Sequence, residues 1–227
     1  SGSGEDALKD PAALRYLVRK LPAARFAELD PEEFYDFTTV RPATVIVAPG
    51  QREVRWPTNE FFYWKSALGP HDLVLFIGIE PNLKWKTYVN ALLTVARQFD
   101  TTSVLSVGAL MDMVPHTREV RMTASGTTPD MRQDMENLGA SLSAYQGPTG
   151  ITSAMMEGCM QRGVPYGSLW GHSPHYIQSI PNIKVMRPMV FPNHRNPFML
   201  GKTIDELAVA NIPRPQPGNV DEEMKVM

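Results

Sequence analysis

Four short segments of this chain hold side chains suited to proton transfer or anion binding. Glu80 follows an apolar run at 73–79, and Pro81 comes directly after it. His116, Thr117 and Arg118 follow Pro115. Gly147, Pro148, Thr149 and Gly150 precede a helical pattern, and His175 and Tyr176 follow Pro174. An arginine fork can hold a carboxylate or phosphate through two hydrogen bonds. A helix start leaves backbone N–H groups free to meet an anion. Histidine and carboxylate side chains can move the protons. A phosphorylase-like site would hold an anion between Arg118 and the helix starting at Thr149, with His116 or Glu80 handling protons. The plainer reading is structural, and it is preferred for each segment. His116 and Arg118 would then bond backbone carbonyls or pair with Glu80, and 147–150 would be a tight turn with a cap.

Other chemistries find less support. His172 and His175 are separated by Pro174, and no cysteine or carboxylate stands near to complete a ligand set, so no metal site is expected. Nothing calls for a cofactor. Cys159 falls beside Met155 and Met156 on a helical pattern and reads as a packing group rather than a nucleophile. Ser106, Ser125, Ser153 and Ser168 lie in no Gly-x-Ser-x-Gly turn, which argues against a serine hydrolase. Trp56, Trp64, Trp85 and Trp170 are expected in the core or at a subunit interface.

The elements that must position these groups alternate along the chain. Apolar spacing predicts helices over 11–21, 59–68, 85–99, 131–138 and 149–162, the last capped by Thr149 and stopped by Gly163. Strands are predicted at 43–48, 73–79, 103–108 and 164–170, with weaker alternation at 119–123. The continuous apolar run 43–48 suits a strand buried on both faces, with 53–56 as its hairpin partner across Pro49-Gly50. This order predicts an α/β fold, a mostly parallel sheet with helices on both faces. Ligands bind such folds beyond the carboxyl ends of the strands, where the four segments fall, including Gly171-His172-Ser173 after Trp170.

Composition bounds the rest. The 227 residues hold 22 Lys+Arg against 24 Asp+Glu, a net charge of -2 that offers no bulk affinity for nucleic acid. A single cysteine forms no internal disulfide and suits a reducing, cytoplasmic setting. No apolar run is long enough to span a membrane. Residues 1–9 read as a flexible linker or cloning remnant, 10–212 as one domain, and 213–227 as an extended Pro-rich tail.

The motifs also occur in a familiar order. They begin with Glu33-Phe34-Tyr35-Asp36-Phe37, Arg41-Pro42 and Trp56-Pro57, followed by Gly78-Ile79-Glu80-Pro81 with Trp85. Pro115-His116-Thr117-Arg118, Tyr145-Gln146-Gly147-Pro148-Thr149-Gly150-Ile151, and Ser168-Leu169-Trp170 leading to Pro174-His175-Tyr176-Ile177 complete the series. Over residues 10–183 this resembles the PAC2 family, named for proteasome assembly chaperone 2, and its bacterial branch of uncharacterised proteins. The resemblance implies a fold related to the nucleoside phosphorylases and a homo-oligomer, with a trimer favoured. It further implies a protein-binding or assembly-chaperone-like role, leaning away from enzymatic activity, with a possible protein client and no nucleic acid or membrane partner. An anion- or nucleoside-binding protein, or a phosphorylase- or hydrolase-like enzyme, is the alternative. The family's usual opening strand and Gly-Trp-x-Asp-Ala-Gly-like turn have no counterpart ahead of residue 11, so one strand and part of the rim are expected to be missing. Residues 184–227 depart from the family pattern, and Lys225-Val226-Met227 lacks the hydrophobic-Tyr-x tail by which archaeal relatives dock on the proteasome ring.

Overall fold

The computed structural model describes residues 12–66, 71–115 and 120–174. Helix α1 (Ala12–Lys20) leads to strand β1 (Ala24–Leu29) and a single 3-10 turn at Pro31–Glu33. Then come β2 (Ala43–Ala48), β3 (Gln51–Arg55), β4 (Asn59–Trp64), β5 (Leu73–Ile77) and α2 (Trp85–Gln98). The chain continues through β6 (Val104–Asp112), β7 (Met122–Gly126), α3 (Pro129–Asn137), β8 (Ser141–Leu142), α4 (Ile151–Gln161) and β9 (Tyr166–Pro174).

The fold is mixed α/β, and its sheets correct the expectation of one mostly parallel sheet. Strands β1-β4-β5 form an antiparallel sheet, and among the described residues β2 and β3 pair only with each other. The order β6-β9-β7-β8 combines parallel β6/β9 and β7/β8 pairs with an antiparallel β7/β9 pair. Residues 59–64, expected as helix, are strand β4. Its aromatic run Phe61-Phe62-Tyr63-Trp64 has the ring side chains that fit a pleated surface. Phe61 packs between Phe26 and Phe76, with ring centroids 5.9 and 4.6 Å away.

The apolar run 43–48 is a strand, but it is not buried. Ile46 is 74% exposed, and Val47 and Val54 are about half exposed on the same ribbon. Burial depends on what packs against a strand, which composition does not state. Thr44, Ile46, Arg52 and Val54 share one face through the pairings Thr44–Val54 and Ile46–Arg52. Trp56, just past the ribbon, packs edge-on against Phe37 with centroids 4.9 Å apart.

Both faces of the β6-β9-β7 sheet are covered. Ala109, Ala124 and Leu169 on one face meet Met135 of α3. On the other, the fully buried Tyr166 meets Val89 and Leu93 of α2 and Met155 and Cys159 of α4. The Tyr166 hydroxyl donates to Ser106 Oγ at 2.7 Å. Helices α2 and α4 approach closely at Gly158, where a Cβ would stand 2.7 Å from Val89 Cγ1 and 2.9 Å from Leu93 Cδ1. Burial pushes the Cys159 thiol up to about 11, and the thiolate is the reactive form. The native protein should therefore be inert to a thiol-reactive disulfide at pH 8 and release one equivalent after denaturation. Rapid labelling without denaturant would show that the helix pair opens.

A second polar cluster closes the end of β5. Asn59 is completely buried, and its Oδ1 accepts from the hydroxyls of Tyr35 and Tyr88. Its amide nitrogen has no partner. Both hydroxyls also reach the Ile79 carbonyl, at 2.8 and 3.2 Å. Burial raises both tyrosine pKa values, so the phenols stay protonated and can donate. Gly78 leaves room for this cluster: a Cβ there would lie 2.6 Å from the Tyr88 hydroxyl, 2.7 Å from Asn59 Oδ1 and 2.7 Å from Phe76 Cζ.

Candidate functional site

Strand β9 runs four residues past its predicted end at Trp170, so Gly171, His172, Ser173 and Pro174 belong to the sheet rather than to a loop. Pairing with β6 from Val104–Tyr166 to Asp112–Pro174 carries the strand through these turn-forming residues. Side chains alternate across a pleat. The register therefore places Asp112, His172 and Thr123, from three adjacent strands, on one face near the same end.

These three side chains are linked. His172 Nδ1 lies 2.7 Å from Asp112 Oδ2, and His172 Nε2 lies 3.1 Å from Thr123 Oγ1. His172 is 7% exposed. Its backbone N–H donates to the Arg121 carbonyl at 2.9 Å, which holds β7 against β9. The bond to His172 is the main cause that keeps the Asp112 carboxyl below the usual carboxylate range, and the Met113 N–H at 2.7 Å adds to it. Arg121 Nη1 stands 3.6 Å from Asp112 Oδ2. In the neutral tautomer that donates Nδ1–H to the Asp112 carboxylate, the Nε2 lone pair faces the Thr123 hydroxyl. Trp170, on the same face of β9, lies over Gly108, where a Cβ would meet its ring at 2.5 Å.

Glu80 and the start of α4 come together. Glu80 Oε2 accepts the Ile151 N–H at 2.8 Å. The N-cap is Gly150, not Thr149, and it supplies no side-chain bond. A carboxylate is favourable at a helix N-terminus, so Glu80 supplies there the negative charge that an external anion would bring in the alternative, ligand-binding reading. Gly147 lies against the Tyr145 ring, whose hydroxyl donates to the Pro148 carbonyl at 3.0 Å. Thr149 is exposed on this loop. His116, Thr117, Arg118, His175 and Tyr176 lie outside the described residues. Among the described residues, no group of three or more His, Cys, Asp or Glu could hold a metal ion.

Sequence reasoning missed Asp112 and Thr123 altogether, and it placed His172 in a loop. The alternation Tyr166, Ser168, Trp170, His172 is the signal that could have extended the strand. Their union with Asp112 depends on strand order and register, which no local pattern carries.

The chain was compared with known proteins. The model of a family described as the PAC2 family matches residues 11–188. A PAC2 family protein from Streptomyces avermitilis is 33% identical, with a TM-score of 0.71 over 92% of this chain and 82% of that one. A Mycobacterium tuberculosis proteasome-assembly chaperone homologue is 29% identical, with a TM-score of 0.71 over 87% and 78% of the two chains. An archaeal proteasome activator from Pyrococcus furiosus shares the fold at 21% identity, with a TM-score of 0.58 over 86% and 82%. No curated protein matches the chain.

Proposed function

Because this chain belongs to the PAC2 family, we propose that it is a homo-oligomeric factor that binds other proteins in the manner of an assembly chaperone. The observation that carries this reading is the β2–β3 ribbon. Among the described residues it pairs with no other strand, and it holds Ile46 and Val54 exposed on one face. A two-stranded hairpin alone is marginal in water, and grouped apolar side chains on a surface mark interaction sites. The 29%-identical relative named as a proteasome-assembly chaperone homologue supports a protein partner. Among the described residues no helix is long and apolar enough to cross a membrane, and the single cysteine suits the cytoplasm.

Sedimentation equilibrium of the full chain at micromolar concentration should give an assembly, with three 25.3 kDa copies the favoured count. Ile46→Lys combined with Val54→Lys places two charges on one face of the ribbon. It should weaken assembly at least tenfold while leaving the circular dichroism of the α/β core unchanged. A native monomer, or an assembly indifferent to both charges, would refute the role of the ribbon.

The second reading, a ligand-binding or phosphorylase-like rim, draws support from the linked Asp112, His172 and Thr123. It places an anion between Arg118 and the start of the helix after Thr149, flanked by Glu80, His116 and His175. It predicts that phosphate raises the melting temperature and that Arg118→Ala removes the effect. With Glu80 already bonded to the α4 start, that helix end contributes less to such a site.

A further inference from the structure

The linked side chains at the β6-β9-β7 edge carry an inference beyond protein binding. In succession they present a hydroxyl, an imidazole and a carboxylate, held at 3.1 and 2.7 Å. A nucleophile bonded to a base that a third group orients is the arrangement for activating a hydroxyl, and it is recognised by geometry rather than by chain order. Thr123 is partly exposed, whereas His172 is buried. Of the two, the residue that carries the hydroxyl is the more accessible. We propose that Thr123, His172 and Asp112 form a hydrolytic relay in which Thr123 Oγ1 attacks the carbonyl carbon of small, neutral carboxylic esters.

The chemistry balances with water as the co-reactant. As the Thr123 Oγ1–carbon bond forms, the hydroxyl proton passes to His172 Nε2. The ester C–O bond then breaks, and the imidazolium gives that proton to the departing alcohol oxygen. Water attacks the threonyl ester, and His172 takes a proton from it. The same proton returns to Thr123 Oγ1 as the acid leaves, so ester and water become acid and alcohol. Thr123 and His172 are the catalytic residues, and Asp112 is a positioning residue that holds the Nδ1–H tautomer. The surroundings favour a neutral acyl group. Arg121 is already paired with Asp112, and Trp170 stands one side-chain step away from His172 on the same strand face.

The test uses the full chain with p-nitrophenyl acetate and, separately, a fluorophosphonate probe followed by peptide mass mapping. The expected results are turnover above buffer and a probe adduct on Thr123. Thr123→Val and His172→Gln should each lower turnover at least a hundredfold, within the range for a positioned base, and Thr123→Ser should retain it. Asp112→Asn, nearly isosteric, should lower kcat at least tenfold with KM unchanged, because the amide can present an N–H to Nδ1 and invert the tautomer. An adduct on another residue, no adduct, or a Thr123→Val rate within twofold of the native rate would overturn the proposal. The adduct position is read on the native protein, so a variant that fails to fold does not shield it.

Discussion

Tyr166→Ala should remove about 3–5 kcal/mol of folding stability, the range for deleting a fully buried aromatic side chain. Typical domains are stable by roughly 5–15 kcal/mol, so this variant should be marginal at 37 °C. The ring is 1% exposed and fills the space where β9 meets α2 and α4, against Val89, Leu93, Met155 and Cys159. Tyr166→Phe keeps the ring and removes only the hydroxyl bonded to Ser106. It should cost about 0.5–1.5 kcal/mol. Urea unfolding of the three proteins separates packing from hydrogen bonding. Equal losses in the two variants would mean that the hydroxyl, not the ring, holds the layer together.

Gly78→Ala should cost about 1–3 kcal/mol from overpacking. The added methyl meets atoms closer than 3 Å on three sides, and they cannot all yield. The Tyr88 hydroxyl is tied to the Ile79 carbonyl and to Asn59, while Phe76 packs at a tilt against Phe61. Asn59 Oδ1 and the Ile79 carbonyl each meet both tyrosine hydroxyls, so displacing either tyrosine costs both acceptors a partner. The loss should exceed that of Tyr88→Phe, which removes one hydroxyl and adds no volume. A Gly78→Ala midpoint within error of the native value would show that this corner is loosely packed.

How much of this was legible in the sequence differs by element. Helix α2 and strand β5 follow directly from their spacing, since both bury the faces that their patterns define. The Gly163 stop is also legible, with a positive φ of 67° just after α4. Strand β1 carries only Phe26 and Leu29 as large apolar groups between polar neighbours, too weak an alternation to notice. Asn59 looked like the start of a helix, yet it is the buried first residue of β4, where the aromatic run governs. The strand at 43–48 was recognised from its branched residues, but its exposure was not, because the missing cover is a fact about neighbours. The same limit hid the site. Glu80 and Gly150 were both singled out, but the bond from Ile151 shows that the carboxylate caps a helix. Asp112, Thr123 and His172 are far apart in the chain and meet only through pairing on both sides of β9.

The central place of β9 has a consequence for how the chain is made. In the order β6-β9-β7-β8, the middle strand is the last of the four in sequence. Until Pro174 has left the ribosome, β6 and β7 each present an unpaired edge, and Leu169 has not yet joined the apolar layer against Met135. Contacts so distant in sequence form slowly, and open edges with uncovered apolar surface invite pairing with other chains. The vulnerable interval is therefore translation itself, and it ends in one step when β9 slots between its two waiting neighbours.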